Sequence, residues 1–328
     1  MKYSIEIPPK DPIWRLQIYA HLADTLSFHT IWLSDHYYNR NIAIVATAMC
    51  MVTKRVRIGL GIMNPYIYHP VSMAQMAASL SEVAPGRVSI GIGAGDRNIL
   101  ESLGIIQERP VDRVRWAVKT IRELFSDSRR SGALGLDFKA WGSPQIYIAA
   151  QGPKMLQLAA EMGDGVLVNT SWLPNPEKPL SLVKKTLDEV GRRRAEFSIE
   201  LETLVSVHED SEKASKTVKP YVGVVMQGLS PEMVEELRIS EETLRKIRSM
   251  VQARMWLEMH RVIPDEAVEL FSIAGTPSYV RSRLEEISSI DLDGLVLGGP
   301  LGPTPRKAMI MLDEIIKGFS GSPSARAA

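Results

Sequence analysis

Glu6 stands between Ile5 and Ile7 in the run Lys2–Ile7, so a strand whose isoleucines face outward turns this carboxyl inward. Burial favours the protonated form of a carboxylic acid, and a protonated acid near neutral pH is a usable proton donor. A structural carboxylate bonded to backbone or to Arg40 is the alternative. Asp35 and His36 close the run Thr30–Ser34, and His36 is open to three roles: ligand contact, general base, or satisfied core histidine. Asp96 ends the segment GIGAGD, and Gln151 and Gly152 end Ile146–Ala150 and lead into Pro153 and Lys154. No HxH, HExxH or clustered-carboxylate spacing accompanies them, so no metal site is expected. A GxSxG serine elbow is absent too. Chemistry is therefore expected from carboxylates and a bound cofactor.

Glycines at Gly91, Gly93 and Gly95 follow a strand and raise the question of a dinucleotide-binding turn. That fingerprint needs a helix opening inside the glycine run, whereas Asn98–Pro110 reads as a loop. Low backbone relief for a planar ligand or a phosphate is the better account, with Asp96 projecting into the mouth. In Ala150-Gln151-Gly152-Pro153-Lys154, free N–H groups at a helix start suit a phosphate, and an ordinary βα turn is the alternative.

Five runs deliver these residues: Lys2–Ile7, Thr30–Ser34, Arg55–Ile62, Arg87–Ile92 and Ile146–Ala150, each followed by a helical pattern. Trp14–Ser27 carries Leu16, Tyr19, Ala20, Ala23 and Leu26 on one helical face, and Val71–Val83 and Val114–Phe125 behave alike. Alternation continues through Lys154–Gly163, Gly165–Asn169, Lys178–Arg193 and Ser198–Val207. This predicts a (β/α)8 TIM barrel, whose strand C-termini open on one face. Residues 211–270 read as consecutive helices inserted between strands seven and eight, Gly294–Gly298 as strand eight and Pro305–Lys317 as the last helix. A single barrel domain over 1–318 and a disordered tail over 319–328 are expected.

With 328 residues, 45% hydrophobic and 23% charged, the chain has apolar material for a large core. A net charge of +1 gives no reason to expect a nucleic-acid or anionic-membrane partner. Cys50 is the one cysteine, which rules out a disulfide within the chain. No run approaches the roughly 20 apolar residues of a membrane span, no secretory pattern opens the sequence, and a cytoplasmic location is expected.

IE at Ile5-Glu6, SDHYYNRN (34–41), GLGIMNPY (59–66), GIGAGD, AQGPKMLQLAAEMGDGVLVN (150–169), FSIAGTP (271–277) and GGPLGP (298–303) together resemble the bacterial-luciferase-like superfamily. Within it the chain is most similar to the methylene-tetrahydromethanopterin reductases that use the deazaflavin coenzyme F420, over nearly its whole length. The resemblance implies a non-prolyl cis peptide at Gly61-Ile62 after strand three, against the deazaflavin. It implies that Asp35, His36 and Asn64 line the ring site, that Gly95 and Asp96 meet the polar ring edge, and that Ala150, Gln151 and Gly152 hold the phosphate tail. A homo-oligomer is expected.

The reaction so implied is hydride transfer to a pterin-bound methylene group, with Glu6 as acid and Asp96 favouring its protonated form by repulsion while orienting the substrate. Two departures from the family pattern stand out: Asp127–Pro144 is short, and Thr170-Ser171-Trp172 differs after strand six. His36 keeps F420-dependent alcohol or sugar-phosphate dehydrogenases open as alternatives. An FMN-dependent monooxygenase and a non-catalytic flavin-binding relative are the others.

Overall fold

The computed structural model describes residues 1–126 and 135–320. Part of the short 127–144 segment and most of the expected tail therefore lie outside the described residues. In chain order the elements begin with β1 (Lys2–Ile7), α1 (Ile13–Thr25), β2 (Thr30–Leu33), α2 (Ile42–Met51), β3 (Arg57–Met63), α3 (Pro70–Val83) and β4 (Val88–Ile92). There follow α4 (Arg97–Ser102), α5 (Pro110–Phe125), β5 (Gln145–Ala150), α6 (Pro153–Met162), β6 (Gly165–Val168), α7 (Glu177–Glu189) and β7 (Ser198–Val207). The last third carries α8 (Ser211–Gln227), α9 (Pro231–Glu236), α10 (Glu241–Gln252), α11 (Asp265–Phe271), β8 (Ser272–Gly275), α12 (Pro277–Ser288), β9 (Gly294–Leu301) and α13 (Pro305–Ser320).

All strand pairings are parallel, in the order β6-β5-β4-β3-β2-β1-β9-β7, and β6 pairs with β7 to close the ring. The chain is thus a TIM barrel. Ten-residue β7 serves two neighbours on one edge: its first half pairs with β6 and its second half with β8, while β9 lies along the other. Strand eight of the barrel is β9, as the sequence predicts. The extra strand β8 was not expected; it extends the sheet only beside the upper half of β7. Helices α8 to α11 lie between β7 and β8 and gather a core of their own from Val218, Val222, Leu244, Ile247 and Phe271, into which Leu204 of β7 projects.

Outward-facing strand residues such as Ile5, Ile31, Ile58, Ile90 and Ile148 pack against the helices in the main core. The inward row holds a smaller cluster of Trp32, Tyr147, Leu167 and Val296. Trp32 sets the glycine pattern of β3: a Cβ on Gly59 would lie 2.2 Å from its ring, and one on Gly61 2.5 Å. The loop expected over Asn98–Pro110 instead starts within α4. Asp96 accounts for that helix, since its Oδ1 accepts from the Asn98 and Ile99 amides at 2.7 and 3.2 Å and satisfies donors a helix start leaves free.

Candidate active site at the strand C-termini

Alternation along β1 puts Glu6 inward between the buried Ile5 and Ile7. Its Oε2 lies over Gly298 of β9, where an added Cβ would come within 3.1 Å. The carboxyl beside it belongs to Glu202 of β7. Burial, followed by repulsion from Glu6 and a hydrogen bond with it, pushes the Glu202 pKa up to about 8. Tyr221 descends from α8 on the same carboxyl: burial raises its phenol, and the Glu6 charge raises it further. Lys10, in the turn after β1, sits over the Tyr221 ring at 5.4 Å.

His36 faces the same group. Burial lowers its pKa, Lys10 acts in the same direction, and the charges of Glu6 and Asp35 oppose them. The imidazole is accordingly neutral near pH 7, with Nδ1 3.2 Å from the Asn39 amide nitrogen. Asp35 Oδ1 accepts from the Tyr37 N–H at 3.1 Å, and its Oδ2 is buried without a well-formed hydrogen bond among the described residues. Tyr68 stands close by, its phenol raised by burial and by Asp35.

Farther round the mouth, the fully buried Asn64 ties three loops together. Its Nδ2 donates to Tyr37 Oη at 2.9 Å and to the Ala94 carbonyl at 3.1 Å, and its Oδ1 accepts from the Tyr66 N–H at 2.8 Å. Burial pushes the Tyr37 phenol up to about 12. Gln107 donates to the Ala94 and Gly95 carbonyls at 2.9 and 3.0 Å. Gly95 has φ +73°, and a Cβ there would lie 2.1 Å from Asn64 Nδ2, so only glycine closes this turn. Asp96 gives Oδ1 to the α4 cap and leaves Oδ2 3.5 Å from Gln227 Nε2 at the end of α8.

The Gly61-Ile62 peptide is cis, at the position the family resemblance implies, and the β3–β4 register shifts between Leu60 and Met63. Ile62 packs on the interior cluster. At β5, Ala150 is buried, Gln151 donates to the Gly228 carbonyl at 3.1 Å, and the Trp172 indole donates to the Gln151 carbonyl at 2.7 Å. Gly152 precedes α6, no side chain caps that helix, and an added Cβ would meet nothing within 4 Å.

The sequence profile of the luciferase-like monooxygenase family matches this chain over residues 4–293. The chain belongs to that family. Over 96% of its length and 98% of the relative's, it is 34% identical to the 5,10-methylenetetrahydromethanopterin reductase of Archaeoglobus fulgidus. The protein of the same name from Methanolobus tindarius is 30% identical, over 97% of this chain and 100% of that one. The solved coenzyme F420 dependent tetrahydromethanopterin reductase of Methanopyrus kandleri superposes with a TM-score of 0.87 at 26% identity, covering 97% of this chain and 99% of that chain.

In this luciferase-like frame the sequence-derived residues form two groups. Glu6, Asp35 and His36 share one electrostatic neighbourhood. Asn64, Gly95 and Asp96 share the other, and Tyr37, which feels both Asp35 and Asp96, lies between them. Helix α8 touches both, through Tyr221 at Glu6 and Gln227 at Asp96. The carboxyl in contact with Glu6 is Glu202, whereas the polar contacts of Asp96 run to the α4 amides and Gln227. Sequence reading missed Glu202, Tyr221 and Gln227. For Glu202 a signal existed: SIELETLVSV places two glutamates two residues apart in a strand, so both share the inward face.

Proposed function

We infer that this chain is a 5,10-methylenetetrahydromethanopterin reductase that uses coenzyme F420. Full-length similarity to relatives of that name supports the reading, and the hydrogen-bonded Glu6 and Glu202 carboxyls at the mouth carry its chemistry. The site fits a flat ring with polar edges: Ser34 Oγ is buried without a hydrogen-bond partner among the described residues, Asp35 Oδ2 has no well-formed hydrogen bond beyond the nearby Tyr68 phenol, and glycines floor the mouth beside them. Asn64, Gly95 and the cis Gly61-Ile62 segment would frame that ring, with Asp35 and His36 along its side. The open α6 start at Gly152, next to Ala150 and Gln151, would take the phosphate.

When bound, reduced coenzyme F420 supplies a hydride. The residues of this chain manage the proton. Glu6 donates it to the bridging nitrogen of the pterin, which opens the five-membered ring and makes the methylene carbon an acceptor. His36, neutral near pH 7, can accept or donate a hydrogen bond without adding a charge. Asp96, joined to Gln227, orients the pterin from the opposite rim.

Mixing the purified protein with reduced coenzyme F420 and methylenetetrahydromethanopterin should restore the visible absorbance of the oxidised coenzyme. Turnover with a secondary alcohol or glucose 6-phosphate, and none with the pterin, would replace this reading with a dehydrogenase.

A further inference from the structure

Inside the barrel the acids form a column. Lys2, Gly294 and Glu200 are in register across β1, β9 and β7, and Ser4, Val296 and Glu202 form the next inward level. Glu6 follows above Ser4 and lies over Gly298, and Glu202, one level down on the strand beyond β9, is hydrogen-bonded to it. Ser4 Oγ and Glu200 Oε2 below them are buried without hydrogen-bond partners among the described residues. Two carboxyls in hydrogen-bond contact inside the barrel mouth do not readily both ionise near neutral pH, and their protons come off as a pair.

We propose that Glu202 is a positioning residue that shares one proton with Glu6, so that the acid facing the substrate stays loaded at neutral pH. This rests on the reading above that Glu6 delivers the proton. The groups around the pair favour retention. Tyr221 from α8 is a neutral phenol, His36 is neutral, Asp35 adds negative charge, and Glu200 lies deeper with Lys2. Lys10 is the cation on the outer side, and it is held over the Tyr221 ring. When the shared proton passes to the pterin nitrogen, the pair is left with two negative charges and recovers one proton from solvent. Neither carboxyl is oxidised or reduced, because the electron pair moves only from coenzyme to methylene carbon.

Glutamine at position 202 would donate an N–H to the Glu6 carboxylate and favour its ionised form, so the acid would be unloaded at lower pH. The first test needs no ligand: infrared titration of the protein carrying 13C-labelled glutamate, with Glu200→Gln identifying the band of the deeper acid. A remaining protonated-carboxyl band persisting above pH 6 is expected in wild type, its loss in Glu202→Gln, and its midpoint moved toward acid in Glu6→Gln. A band unchanged by Glu202→Gln overturns the proposal. Should Glu202→Gln not fold, as judged by its melting curve, Glu6→Gln decides, since loss of the partner must shift the band's frequency and midpoint, and an unchanged band overturns the proposal. In the reductase assay, the alkaline limb of kcat should move about one pH unit or more toward acid in Glu202→Gln. A uniform loss with the limb unmoved would mark Glu202 as merely structural. A shared proton without pterin reduction sinks the reductase reading and leaves the pair standing; pterin reduction without a shared proton does the reverse.

Discussion

Replacing Glu6 by glutamine removes the proton and keeps the size, so coenzyme binding should survive while kcat falls by about 10²–10⁴-fold. Fluorescence titration with coenzyme F420 and the absorbance assay separate the two effects, and a fully active variant would take Glu6 out of the mechanism. Gly95→Ala attacks the opposite rim. Its methyl would enter the space of Asn64 Nδ2 in a left-handed backbone, so a loss of about 1–3 kcal/mol and weakened coenzyme binding are expected. Native melting and affinity at this variant would remove the Asn64–Gly95 frame from the site. Both residues were legible in the sequence, Glu6 from alternation and Gly95 from its glycine-rich turn. Glu202 shares the parity of Glu200, but its partner lies across β9, and adjacency of strands one, eight and seven is a property of ring closure rather than of any local pattern. Tyr221 and Gln227 were hidden for a related reason, because a helical insertion shows its own apolar face in sequence and not the face it turns to the mouth.

At the scale of elements, α4 and α8 decide how the two rims meet. Asp96 serves α4 as its cap and α8 through Gln227, so its cap and charge roles can be separated. Asp96→Asn retains an acceptor for the α4 amides and should melt like wild type, whereas Asp96→Ala should lose about 1 kcal/mol. If its charge orients the pterin, the asparagine variant nonetheless loses activity, chiefly as a raised KM for the pterin. Equal kcat and KM in Asp96→Asn would leave the cap as its whole role. Strand and helix alternation through β7 was readable because each strand is a short β-branched run and each helix has one apolar face. Failure came at α4, a six-residue helix too short to show periodicity, and at β8, four residues whose pairing depends on how far β7 extends past β6. Among the described residues no helix is long and apolar enough to cross a membrane.

For the whole molecule, the closed barrel buries groups whose titration pulls stability in opposite directions. His29, under β1 and β3, has its pKa lowered to about 4 by burial, with Lys2, Arg57 and Arg55 adding to the effect. A depressed histidine contributes stability above its unfolded value near 6.5, and this is lost as pH falls toward about 4. Glu202 runs the other way. Its raised pKa gives stability that is complete below the unfolded glutamate value of 4.5 and is lost as pH rises through about 8, and Glu200 acts in the same sense. Between pH 4.5 and 6.5 the one histidine slope opposes those of Glu202 and Glu200, so wild type should melt lower as pH rises there. His29→Gln should then fall more steeply than wild type as pH rises across that window, because both glutamate slopes are left unopposed. Glu202→Gln should melt nearly independently of pH, because the Glu200 slope then offsets the histidine slope. Each single slope, discounted for the partial exposure of His29, is expected to be on the order of 1 kcal/mol across the window. Melting curves of the three proteins at pH 4.5, 5.5 and 6.5 check the signs directly, and parallel profiles would mean that the buried groups keep the same protonation folded and unfolded.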